Sequence, residues 1–206
     1  MYYKTERQGP AILLHHGAGT SMESWAKLDF EKLQQQYQLV YIDSRGHGQS
    51  DKPHQDEAYE YCALLSDIVV LLDHLQLDQV HYWGYSMGGK LGYALAKHHP
   101  NRLRSLIIGG ATSYDIPDSI AAAKRILPIL EVGAEGGVAA IVEKRSAMGI
   151  ITSKSYRAWL EESDLDGLPE MVINSAKMEA KSKGENHKWL VTLQFPSYYP
   201  FLKFSS

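Results

Sequence analysis

Residues 84–88 read Gly-Tyr-Ser-Met-Gly, a serine with a glycine two positions away on either side. This spacing can present a hydroxyl as a nucleophile: an apolar strand turns abruptly into a helix, the serine is pushed out at the bend, and the glycines let neighbouring backbones press close. The chemistry such a group performs is acyl transfer through a covalent serine ester, provided that a base takes its proton. The flanks suit the motif, because "VHYWGY" runs into Ser86 as an apolar strand and "MGGKLGYALAKHH" continues with helical character until Pro100 stops it. Free N–H groups at the start of that helix favour negative charge, which makes the Met87 amide one candidate oxyanion donor. A second is expected from "HHGAGTS", where Gly17 permits a tight turn and the Ala18 amide can face the same point.

Short apolar runs at 11–16, 38–43, 79–85 and 103–110 read as strands, separated by longer segments of helical period. Their near-continuous apolar character predicts an α/β fold with a doubly wound, mostly parallel sheet covered on both faces. Thr20 followed by Glu23 matches a capping box at the start of a helix that leads toward Tyr37. Leu64, Ile68, Leu71, Leu72 and Leu75 lay one apolar stripe along a helix over 61–75. "SRGHGQSDKP" is rich in Gly and Pro and reads as a loop. After about Pro117 the rhythm changes to helical pieces at 118–131, 137–147, 153–162 and 169–181, with no strand between them. The expected organisation is a core over 1–116, a helical cap (lid) insertion over 117–181 and an atypical aromatic-rich tail over 182–206, which holds three of the four phenylalanines.

Composition excludes several classes of partner. The 206 residues carry a formal charge of -3, with 44% hydrophobic and 22% charged residues, so no basic field exists to attract nucleic acid or anionic lipid. A single cysteine, Cys62, rules out an internal disulfide. With no apolar stretch of membrane-spanning length and no signal-peptide pattern, the chain reads as cytoplasmic. No cofactor is expected. Metal ligation is not expected either, since His15 and His16 lack further ligands at set spacings and are read as shaping the turn that follows them. His47 is read as bracing its own loop, His98 and His99 as ending a helix, and Trp25, Tyr82 and Trp83 as core or pocket lining.

Taken together, "LLHHGAGTSMESW", "VYIDSRGHGQSDKP" and "VHYWGYSMGGKLGYALAKHHP" resemble, in order and spacing, the α/β-hydrolase fold superfamily over residues 11–110. The resemblance implies Ser86 as nucleophile, Ala18 and Met87 as oxyanion-hole residues, and 117–181 as the cap. Serine rather than aspartate at position 86 implies esterase-like, lactonase-like, thioesterase-like or peptidase-like chemistry rather than that of an epoxide hydrolase or dehalogenase. A small ester-like or related acyl compound is the expected substrate, bound in a mostly apolar pocket.

The family's order is serine, then acid, then a late histidine. Here "WLVTLQFPSYYPFLKFSS" resembles the entry to the acid-bearing strand, yet neither a Gly-rich turn with an aspartate nor a histidine follows it. The chain therefore reads as a truncated version of the fold, by a shifted frame, a misplaced gene end or divergence. Asp115, just past the fourth strand, is a possible substitute acid, with a solvated hinge as its plainer role. His187, in "KGENHKW", is a candidate base in what reads as an exposed loop. Two functions stay open: a serine hydrolase, or a catalytically impaired remnant that binds a small molecule. Without the next strand, the edge of "LIIGG" is expected to invite association unless the tail adds a strand there.

Overall fold

In the computed structural model, which describes residues 1–26, 28–111 and 119–162 together with Leu165 and Pro169, the apolar runs pair into one five-stranded sheet. In chain order the strands are β1 (Tyr2–Glu6), β2 (Ala11–His15), β3 (Gln38–Asp43), β4 (Val80–Tyr85) and β5 (Leu103–Gly109). They lie in the order β1-β3-β2-β4-β5. The last four are mutually parallel, as expected, while β1 joins β3 antiparallel with Tyr2 opposite Asp43. The pattern of the sequence did not predict β1. "YYKTE" has no apolar run, because this strand lies at the sheet edge with its last three residues exposed.

Alternation along the central strands sends neighbouring residues to opposite faces. Leu13, Val40 and Ile42 join one core cluster, and Ile12, Leu14, Leu39 and Tyr41 join another. The first is sealed by α3 (Tyr61–His74), whose stripe of Leu64, Ile68, Leu71 and Leu72 is buried as its spacing predicts, and by α4 (Met87–His98). Each large aliphatic side chain so buried contributes about 1.5–3 kcal/mol of hydrophobic stabilisation.

The other face is covered between β2 and β3, where the predicted single helix is instead two short ones, α1 (Glu23–Ala26) and α2 (Glu31–Gln34). Packing explains the break. Trp25 and Phe30 both contact Trp83 edge-on, at 5.5 and 5.7 Å between ring centroids. On a continuous helix, residues five apart would point about 140° away from each other. The expected capping box is also replaced: the Thr20 hydroxyl donates to Gly17 O, Ser21 Oγ accepts the Glu23 N–H, and Glu23 pairs with Lys4.

Past β5, α5 (Ser119–Ala147) consists of two helical lengths that meet at Gly137, whose φ of 68° and ψ of -163° break it, so the division falls at the end of the expected separator. With α6 (Lys154–Glu162) it encloses a small third cluster of Ile129, Ile141 and Leu160. Among the described residues, no helix is long and apolar enough to cross a membrane. The predicted helix over 169–181, Asp115, His187 and the tail over 182–206 lie outside the described residues, Pro169 excepted.

Candidate active site

Ser86 lies between the end of β4 and the first residue of α4, with φ of 50° and ψ of -109°. A positive φ on a residue with a Cβ costs about 1–3 kcal/mol and persists only where its surroundings enforce it. Here the Ser86 N–H donates to Gly109 O at 2.8 Å, and Ser86 O accepts the Lys90 N–H at 3.0 Å as the first turn of α4 begins. The flanking glycines are required by contact. A Cβ on Gly84 would sit 2.3 Å from Gly88 O, and one on Gly88 would sit 2.4 Å from His15 O. The bend leaves Ser86 half-buried and Met87 buried at the head of α4, where backbone N–H groups have no partner within the helix.

The turn after β2 comes against this bend. Gly88 N–H donates to His16 O at 3.1 Å, and a Cβ on Gly17 would be 3.3 Å from Ser86 Cβ. Ala18, next in the chain, is half-buried against the core. The ring of Tyr85, 55% exposed, spans the gap between two glycine turns: Cβ atoms built on Gly17 and Gly110 would lie 3.2 and 2.8 Å from it.

Behind this surface lie three fully buried histidines, His15, His16 and His47, with ring centroids 5.8 Å (His15–His16) and 5.0 Å (His16–His47) apart. Their partners determine their tautomers. His16 Nε2 accepts the Ser44 N–H at 3.0 Å, so its Nδ1 carries the proton and donates to Gly17 O. His47 Nε2 accepts the Gly19 N–H at 2.9 Å, and its Nδ1–H donates to Arg45 O at 3.1 Å. The predicted bracing of the His47 loop is thus present, together with a bond to the turn after β2.

His15 joins a directional chain. The Tyr82 hydroxyl donates to Gly88 O at 2.9 Å, so it accepts from His15 Nδ1–H, and His15 Nε2 accepts in turn from the Ser44 hydroxyl. Burial, with repulsion from His47 adding to it, pushes His15 down to about 3. Burial likewise holds His16 well below the ordinary histidine value, and it drives the Tyr82 hydroxyl well above the usual tyrosine value. Every one of these Nε2 lone pairs is already committed to the protein, so none of the three histidines is free to deprotonate Ser86.

The loop after β3 is anchored from two directions. Asp43 accepts the Met22 and Gln49 amides at 2.7 and 2.9 Å, while Arg45 grips Asp67 of α3 with two parallel bonds of 2.9 and 2.6 Å. Such a planar fork holds orientation as well as charge.

This arrangement agrees with what comparison with other proteins finds. Residues 10–188 match the family model described as the alpha/beta hydrolase fold. The chain belongs to this family. Among curated relatives of this α/β-hydrolase chain, 3-oxoadipate enol-lactonase 2 of Acinetobacter baylyi is 35% identical over 104 residues, covering 50% of the chain and 38% of the relative. Fluoroacetate dehalogenase of a Burkholderia species is 36% identical over 103 residues, covering 48% and 34%. The chain thus spans well under two thirds of the length of these relatives. A solved structure from a study of carboxylesterases of Nitrososphaera gargenis superposes with a TM-score of 0.71 at 19% identity, over 93% of this chain and 72% of that one, which shows a shared fold.

The sequence brings Ser86, Met87 and the Gly17–Ala18 turn to one place, as expected from their motifs. What it did not reveal is the connection among Ser44, His15 and Tyr82. Paired histidines at a strand end and a serine after Asp43 were visible, but their meeting depends on β2, β3 and β4 being neighbours in the sheet.

Proposed function

We propose that this chain is a serine hydrolase acting on a small ester-like or related acyl substrate through an acyl-enzyme on Ser86. The observation that carries the reading is the positive-φ backbone of Ser86 at the strand-to-helix bend, with Gly17 packed against it. Ser86 Oγ attacks the acyl carbon, the Ala18 and Met87 amides receive the charge that develops on the carbonyl oxygen, and the bond to the leaving oxygen breaks as the proton given up by Ser86 goes to the departing alcohol or enol; water then cleaves the ester on Ser86, returning a proton to its Oγ and releasing the carboxylic acid. The name of one relative, an enol-lactonase, supports acyl chemistry on a small molecule, and serine in place of aspartate at position 86 sets this chain apart from dehalogenase chemistry. The helices α5 and α6 serve as the cap over the site in this reading, and Asp115 is the candidate acid.

The commitment of His15, His16 and His47 to internal bonds favours a second reading, a small-molecule binder that retains the bend without a proton relay. Stopped-flow hydrolysis of p-nitrophenyl butyrate separates the two. The hydrolase gives catalytic release of nitrophenol, with an initial burst where deacylation is the slower step, and Ser86→Ala abolishes it. The binder gives no burst, and only a slow release that Ser86→Ala leaves unchanged.

A further inference from the structure

Three donors converge on a single acceptor in the turn after β2. Gly17 O receives His16 Nδ1–H at 2.7 Å, the Thr20 hydroxyl at 2.9 Å and the Thr20 N–H at 3.3 Å. Gly17 O and the Ala18 N–H belong to one peptide plane, and in a trans peptide they point in opposite directions. Holding the carbonyl therefore aims the amide. The ring that makes the shortest of the three bonds cannot choose another tautomer, because Ser44 N–H donates to its Nε2 at 3.0 Å in a site with no exposure to solvent. The residue is tied at its backbone as well, since His16 O accepts the Gly88 N–H from the first turn of α4. At the far end of the turn, His47 Nε2 holds the Gly19 N–H, which stops the turn from rotating as a unit.

We propose that His16 is a positioning residue for acyl transfer: its Nδ1–H pins the Gly17 carbonyl and so directs the Ala18 amide toward the oxyanion formed when Ser86 attacks. The inference rests on the reading of Ser86 given above and adds a specific cause for the orientation of one donor. The line of command runs from Ser44 N–H, which sets the tautomer, through the His16 ring to the Gly17–Ala18 peptide. His16 touches neither substrate nor the reacting atoms.

Two variants separate positioning from bulk stability. His16→Asn places an amide N–H where Nδ1 stood and keeps the bond to Gly17 O, whereas His16→Gln reaches the Nε2 position and keeps the Ser44 contact while losing that bond. Loss of a whole oxyanion donor lowers kcat by about 10²–10³-fold, and because Thr20 still holds the carbonyl, His16→Gln is expected to lower kcat by roughly 10-fold or more with KM within about 2-fold. His16→Asn is expected to restore most of that loss. Thr20→Val, which removes a second donor to the same carbonyl and leaves His16 in place, should lower kcat in the same sense.

Crystal structures of the wild type and the variants supply a readout that does not depend on turnover. The Gly17–Ala18 peptide is expected to rotate in His16→Gln and to keep its orientation in His16→Asn. Equal loss of kcat in both variants, in proportion to loss of stability, overturns the proposal; so does an unmoved peptide in His16→Gln. If the wild type shows no release that Ser86→Ala abolishes, the reading of Ser86 fails, and the peptide orientations alone decide whether His16 controls the turn. Should His16→Gln not fold, the kcat of Thr20→Val decides: a fall at unchanged KM supports the lock, and wild-type kcat overturns it.

Discussion

At the scale of single residues, the buried histidines connect the site to the stability of the whole. His15 and His16 are held neutral by burial, His15 down to about 3. The sign of the consequence follows from proton counting. Above the ordinary histidine value, near 6.5, neither state takes up protons at these positions and their contribution is complete. As pH falls below it, the unfolded chain binds protons that the folded chain refuses, so stability is lost progressively until the folded values are reached. Each histidine contributes a slope of about 1.4 kcal/mol per pH unit in that window. His81 and His98, also shifted down, act in the same direction. Urea midpoints are therefore expected to fall steadily from pH 7 to pH 5, and His15→Gln to flatten the slope. A midpoint constant over that range contradicts the assignment of neutral, internally bonded rings.

Among the elements, those built from continuous apolar runs or a clear 3.6-residue stripe were legible in the sequence. β2, β3, β4, β5, α3 and α4 fall within about a residue of where their patterns place them. Elements settled by long-range contact were not. β1 carries no periodic signal because it is a half-exposed edge, and the α1–α2 break answers to Trp83, which is distant in sequence. The site divides along the same line: the bend at Ser86 is written locally in its glycines, while the Ser44–His15–Tyr82 chain exists only once three strands are adjacent. The bend also makes a local prediction. Gly88→Ala puts a methyl group 2.4 Å from His15 O, where backbone cannot yield, and is expected to destabilise by about 1–3 kcal/mol or more. Val70→Ala on the exposed side of α3, at 61% exposure, should stay within about 0.5 kcal/mol. Chemical denaturation of the two variants checks this, and equal effects contradict the close packing of the bend.

For the molecule as a whole, two features govern its behaviour. Among the described residues, β5 pairs only with β4, so its other edge has no described partner strand. Unless the tail adds a strand there, purified chain is expected to self-associate, with sedimentation velocity showing species heavier than monomer; a single monomeric boundary contradicts an open edge. The second feature is the convergence of β4, α4 and the turn after β2 on Ser86, on which the functional account stands or falls. Its most direct test is incubation of folded protein with a fluorophosphonate probe, followed by intact mass and peptide mapping. One adduct per chain is expected, located on Ser86 and absent from Ser86→Ala. Folded protein that takes up no probe, or takes it up equally after Ser86→Ala, contradicts it.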